Sequence, residues 1–249
     1  MTSEPRHFEI RVVVPTDARN EGVEVRPLAD GEDTIEHAFD DGRAMDPRDL
    51  LSTAETLVAT EAPHEVLLAE ARCAVGCCGA LYVTIRRDGD HVVWDRWRNP
   101  ADDVDLPEVR FDAVQYRAEV ERAVADRGWE WPARIVARLL ERELLARTDW
   151  WARWECELQR VSAWTGEGFW ERVSLRFLHP DRSAMADDRP WLQFRMELPV
   201  SPDDDPSDQV ARLAEQLTAG DPRAAAEVCG GSAAYARQLG YPWPPRRPD

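Results

Sequence analysis

The sequence predicts an α+β fold: an antiparallel β-sheet built from hairpins, helices packed on it, and a C-terminal helical extension. Three observations point there. Apolar and polar residues alternate in several short runs, the period of strands buried on one face. Glycine-bearing turns separate neighbouring runs, and two longer stretches carry helix start signals ahead of 3.6-residue apolar stripes. Strands and helices also come in separate runs, which favours antiparallel pairing over a doubly wound arrangement.

The first alternating run is His7 to Val14, and Gly22 to Pro27 is its expected hairpin partner. From Leu28 to Ala62 the chain is polar and acidic, punctuated by Gly31, Asp40-Asp41-Gly42 and Asp46-Pro47, with a short helix expected near Arg48 to Leu57. Alternation returns from Val66 to Cys73. The small-residue turn Gly76-Cys77-Cys78-Gly79 leads into Leu81 to Ile85. Asp88-Gly89 is the dipeptide of a type I′ hairpin, whose two central residues take positive φ, and it would set Ile85 opposite Val92 and Val83 opposite Trp94.

Asp112 is placed to cap a helix, Gln115 to complete a capping box, and Phe111 and Tyr116 to form a hydrophobic staple. Val120, Ala123 and Val124 continue the stripe and Gly128 stops it. Pro132 suits the first position of a second helix, with Val136, Leu139, Leu140 and Leu144 inward and Arg134, Arg138 and Arg142 outward. Glu155 to Thr165 and Phe169 to Leu178 flank Gly166-Glu167-Gly168 as a second hairpin, and Leu192, Phe194, Met196 and Leu198 mark a further strand. Ser201 to Pro206 reads as a linker. The expected organisation is therefore an α+β domain over 1–199 and a helical extension with a proline-rich tail over 200–249, packed on the same domain. Within the extension, Val210, Leu213, Ala214 and Leu217 form one stripe, Asp221-Pro222 starts a short helix stopped by Gly230, and Ser232 to Leu239 forms another.

Composition narrows the function. The 249 residues carry 48 Asp and Glu against 31 basic residues, a formal net charge of −17, which repels phosphate backbones and argues against nucleic-acid binding. Every one of the 31 basic residues is arginine, so P-loop and Schiff-base mechanisms that need a lysine are excluded. The N-terminus lacks the layout of a signal peptide, no apolar run reaches membrane-spanning length, and five cysteines fit a reducing compartment, so a cytoplasmic setting without membrane contact is expected.

The grouping that most resembles a site is Cys73-x3-Cys77-Cys78. Thiolates bind zinc, and His64 or His91 would have to complete the ligand set; the alternatives are redox chemistry or small core residues in a tight turn. Cys156 and Cys229 read as core. No cofactor is expected unless this cluster holds zinc. Tryptophan is the second oddity, 11 in the chain; Trp150 and Trp151 cannot both point inward on a strand and diverge by about 100° on a helix, so Trp150, Trp151 and Trp154 are a candidate interaction surface, with core packing as the other reading. There is no G-x-S-x-G, H-E-x-x-H or G-x-G-x-x-G, and the five histidines are scattered, so the sequence leans against an enzyme.

Two stretches carry a resemblance. Cys77-Cys78-Gly79-Ala80-Leu81-Tyr82-Val83 with Arg87-Asp88-Gly89 and Val93-Trp94 is one; Phe111-Asp112-x-x-Gln115-Tyr116 with Trp129-Glu130-x-Pro132-Ala133-Arg134 is the other. Together they resemble a family of functionally uncharacterised proteins of high-GC actinobacteria, over roughly residues 66–145. The resemblance implies a bacterial cytosolic setting and transfers no catalytic residue. The expected function is a non-catalytic interaction protein that recognises a basic protein partner through an acidic, Trp-bearing surface, immunity- or antitoxin-like in one form; the alternative is a zinc-binding or redox-active protein using Cys73, Cys77 and Cys78.

Overall fold

The computed structural model describes residues 4–15, 22–39, 42–52, 54–71, 79–164 and 170–243. The fold is α+β with antiparallel sheets, and the chain divides into two compact units with the boundary between Trp129 and Glu130. That boundary lies well before the Ser201–Pro206 segment, where composition placed the end of the first domain.

In the first unit β1 (Phe8–Val13), β2 (Glu24–Ala29) and β3 (Glu32–Asp33) form a three-stranded sheet in that order. The polar stretch that follows is more structured than its composition suggests. Asp33 caps α1 (Thr34–Ala38), β4 (Gly42–Ala44) joins the next sheet, and Asp46 caps α2 (Pro47–Leu50), a one-turn helix separated from a 3₁₀ turn at Ala54–Thr56. The single helix expected over Arg48 to Leu57 is thus two short pieces. Next come β5 (His64–Ala71), β6 (Ala80–Asp88), β7 (His91–Arg98) and β8 (Val109–Asp112), giving a five-stranded antiparallel sheet ordered β4-β5-β6-β7-β8. Met45 stitches the two sheets: its carbonyl accepts from Val25 N–H and its N–H donates to the Leu68 carbonyl, both at 2.9 Å.

The β6–β7 hairpin forms, with a register that differs from the expected one. Asp88 pairs with His91 and Ile85 with Trp94, so the loop is Gly89-Asp90. Gly89 alone takes positive φ, at 60°, which is the II′ pattern with glycine first rather than I′. The displacement is two residues, so every side chain keeps the face that the alternation assigned to it.

α3 (Ala113–Ala125) starts where expected, with the Asp112 carboxylate accepting from Val114 and Gln115 N–H at 3.0 and 2.9 Å. The Phe111–Tyr116 staple also forms, with ring centroids 5.9 Å apart. Gln115 does not complete a capping box. Its amide reaches β1 instead, accepting from Phe8 N–H at 3.1 Å and donating to the Phe8 carbonyl at 2.7 Å. One and two turns on, Glu119 accepts from Ile10 N–H and Arg122 donates to the Ile10 carbonyl, both at 2.7 Å. Three helical side chains therefore satisfy alternate residues of an edge strand, in place of a neighbouring strand. Beneath them Phe8, Trp94, Phe111 and Tyr116 pack as one aromatic cluster; the indole of Trp94 donates to the Tyr116 hydroxyl, which donates to the Leu57 carbonyl.

The second unit opens with α4 (Pro132–Leu145), proline at its first turn, and α5 (Thr148–Arg153). Ala133, Val136, Ala137, Leu140 and Leu144 face its core. Arg134, expected outward, is buried, and Leu139 is only partly covered. Four antiparallel strands follow, β9 (Glu157–Ser162), β10 (Arg172–His179), β11 (Leu192–Pro199) and β12 (Glu227–Gly231), ordered β12-β11-β10-β9. α6 (Arg182–Ala186) lies between β10 and β11; α7 (Pro206–Thr218), capped by Asp205, packs with α4; α8 (Ala233–Gln238) closes the described chain. Gln209 ties the former linker to α7, accepting from Ser201 N–H and donating to the Ser201 carbonyl, both at 2.9 Å. The last fifty residues are consequently not all helical. The Asp221-Pro222 start yields only a 3₁₀ turn at Pro222–Ala224, and the chain then becomes the edge strand β12. Gly231 ends that strand with φ of 116°, at a point where a Cβ would run into the Trp191 carbonyl.

Candidate functional site

Cys73, Cys77 and Cys78 lie outside the described residues. The sheet nonetheless places the two histidines considered with them. His64 and His91 begin β5 and β7, at the end of the sheet where β6 turns into β7, whereas Ala71 and Gly79 flank the cysteine segment at the other end. His64 and Ala71 are seven residue steps apart along β5, about 23 Å at 3.3 Å per residue. His64 already bonds the Thr56 carbonyl through Nε2 at 3.1 Å. Among the described residues no group of three or more His, Cys, Asp or Glu side chains is placed to hold a metal ion.

The tryptophan trio is brought together on and just after α5, but as packing rather than as an exposed patch. Trp151 is a core residue, its indole donating to the Leu144 carbonyl at 2.9 Å and its ring against Phe177. Trp150 lies edge-on to Trp151 and donates to the Gly220 carbonyl at 3.2 Å; Trp154 is half-buried beside Arg153. Successive helical residues point about 100° apart, and Trp150 still packs because Gly220, just past the end of α7, meets its indole. Trp151 is closed to solvent as a core residue, while Trp150 and Trp154 are partly buried and keep part of their surface open.

One cluster in the second unit has the composition of a catalytic site. Cys156 Sγ lies 4.0 Å from His179 Nδ1, at the end of β10, with Asp221, Arg223 and Tyr235 close by. Its geometry argues against nucleophilic chemistry. His179 Nδ1 is 2.8 Å from the Glu155 carbonyl, which can only accept, so that nitrogen carries a proton and cannot take one from the thiol. The thiol itself is directed at the Trp154 carbonyl, and burial pushes Cys156 up to about 12 against the opposing pull of Arg223. Nucleophilic cysteines are depressed and accessible. At neutral pH Cys156 is a thiol. Tyr235 OH meets His179 Nε2 at 3.1 Å, and Arg223 Nη1 sits over the imidazole face, 3.4 and 3.3 Å from its two nitrogens. A fork of bonds to Asp221 at 3.0 and 2.8 Å holds Arg223 there. The group is a polar pin joining the start of β9, the end of β10, the 3₁₀ turn and α8.

The first unit carries the surface that best fits recognition. Arg6, Ala29, Glu32, Asp33, Trp97 and the β7–β8 loop at Leu106 and Pro107 line a cleft of about 180 Å³. Trp97 is half-exposed in its wall and fixed by donating to the Pro107 carbonyl at 3.2 Å. The cationic member, Arg6, is matched by Asp30 at 3.6 Å and Glu32 at 3.7 Å. The loop beyond it holds Asp102, Asp103, Asp105 and Glu108 with no basic residue between Ala101 and Val109, and all four acids are exposed. Sequence reasoning passed over this run. Its signal was four acids around a proline, five residues after a tryptophan. A second groove, about 320 Å³, has an apolar floor of Val92, Ala113, Tyr116 and Val120 under Arg87, Arg117 and Glu121.

No helix among the described residues is long and apolar enough to cross a membrane. Comparisons with protein-family models, with curated proteins and with solved structures found no match.

Proposed function

We propose that the protein is a non-catalytic binding protein that recognises a basic protein partner through the acidic β7–β8 loop and the Trp97 cleft. An immunity- or antitoxin-like role is one form of this reading. The observation that carries it is the conjunction of four exposed carboxylates in one loop with an indole held in the adjoining cleft wall, in a chain of net charge −17. An acidic field of this kind raises the encounter rate with a cationic partner, and a rigid aromatic anchor contributes most once the two surfaces meet. The chemistry of the Cys156–His179 pair favours the same reading, since a committed donor nitrogen beside a protonated thiol supplies neither base nor nucleophile.

Affinity capture from the native host tests it, with the wild-type chain and an Asp102→Asn, Asp103→Asn, Asp105→Asn variant compared at about 50 mM and about 500 mM salt, ionic strengths that differ several-fold in screening length. A basic protein retained only by the wild type and only at low salt is the expected result. Equal retention by the neutralised loop would remove the surface from consideration.

A further inference from the structure

The sheet of the second unit has a core face under α4 and α7 and an opposite, polar face. Antiparallel register sets Arg176 of the inner strand β10 directly opposite Arg160 of β9 and opposite Arg195 of β11. Residues paired in this way share a face on strands about 4.8 Å apart, so three guanidinium groups stand in one row. Like charges directly opposite are destabilising in a sheet, and these three are half-buried, where solvent screens them less.

Compensation along the row is uneven. Arg195 has Glu197 at 3.7 Å and Glu227 at 3.8 Å, and Arg160 has an interaction of its own. Arg176 has no carboxylate within 4.0 Å among the described residues, and its buried Nε has no hydrogen-bond acceptor. The rest of the face is largely polar and self-satisfied, with Leu178 buried on it two residues past Arg176. Ser174 donates to Glu197 at 2.9 Å, Gln193 to Gln159 at 2.5 Å, and the Cys229 thiol to Gln193 at 3.3 Å. Burial pushes the Cys229 thiol up while Arg176 and then Arg195 pull it back, so both guanidinium groups bring their charge to the same place beside β12.

We propose that Arg176 and Arg195, within the positive field to which Arg160 adds, bind an oxyanion of the phosphate class on this face. The argument is complementarity. An unmatched, half-buried cation is costly, and a doubly charged anion would neutralise it together with the repulsion from its neighbour. A tetrahedral oxyanion also presents the paired oxygens that guanidinium forks bind bidentately, which chloride cannot do. The site lies in the second unit and does not depend on the recognition surface proposed in the first.

Isothermal titration with sodium phosphate, against sodium chloride at matched ionic strength, reads the site directly. The wild type is expected to bind phosphate saturably, and Arg176→Gln and Arg195→Gln each to weaken it at least about tenfold, the scale of one lost charge-assisted bond. Arg212→Gln, on the exposed face of α7, is expected to leave binding unchanged. In phosphate-free buffer Arg176→Gln should melt at or above the wild-type temperature, because it relieves repulsion; a purely structural arginine would lower it. A glycerol phosphate arm separates the free ion from a phosphoryl group carried on a larger molecule, and binding of either supports the site. No saturable binding to the wild type, or equal binding by the variants, overturns it. Should Arg176→Gln fail to fold, the Arg195→Gln titration decides alone.

Discussion

Asp221 ties its charge state to the polar pin of the second unit through Arg223. Burial pushes its carboxyl up, but the bonds from Arg223 outweigh that and hold it below the usual carboxylate range. In the unfolded chain the same carboxyl titrates near about pH 3.9. A folded-state value lower than the unfolded one means that the ionised carboxylate stabilises the fold above that pH, and that this stabilisation is lost as pH falls through the lower folded value. Asp221→Asn is therefore expected to be less stable than the wild type at neutral pH, with the gap narrowing below about pH 4. Urea denaturation at several pH values measures it, and a gap that stays constant into acid would contradict the role given to Asp221. Little of this pin was legible beforehand. Cys156 was read correctly as core, but His179, Arg223 and Tyr235 lie 23 to 56 residues from their partners, a separation over which periodicity carries no information.

Individual elements were legible in proportion to how local their cause is. Asp112 caps α3 through bonds to residues two and three positions on, so its role could be read directly. The β6–β7 hairpin was legible in its faces and not in its turn, since Asp-Gly and Gly-Asp overlap in one tripeptide and only the backbone decides which pair forms the loop. β12 was missed because Glu227 to Gly231 is too short and glycine-rich to show alternation; pairing with β11 makes it a strand. The reach of α3 across β1 has the same origin. Gln115 has the identity that a capping box wants, and the edge-strand N–H and carbonyl of Phe8 compete for it successfully. Changing Gln115 and Glu119 to Ala should strip that edge of its cover, at a cost of about 1–2 kcal/mol for each lost pairing, and should promote self-association. Chemical denaturation and light scattering report the two effects, and a double variant as stable and as monomeric as the wild type would show that the edge needs no cover.

Across the whole molecule, the two buried clusters share no residue, so each unit owns its core. Leu140, fully buried in the second, is expected to cost about 2–5 kcal/mol when changed to Ala. Hydrogen exchange should then accelerate over residues 130–243 and stay unchanged in β5, β6 and β7; uniform acceleration would mean that the chain unfolds as one piece. The division itself was marked in the sequence by Gly128 and Pro132, and was overlooked because the more polar Ser201–Pro206 run resembles a linker more strongly. The cover that α3 gives β1 also has a consequence in time. Phe8 leaves the ribosome 107 residues before Gln115. At typical synthesis rates that interval lasts roughly 5–20 s, far longer than a hairpin needs to form. A nascent β1–β2 ribbon thus waits with one side open on every translating chain, and neighbouring chains on a polysome present the same open side. Slow codons between the two segments would lengthen that exposure, so expression yield should respond to synonymous changes there that leave the finished protein untouched.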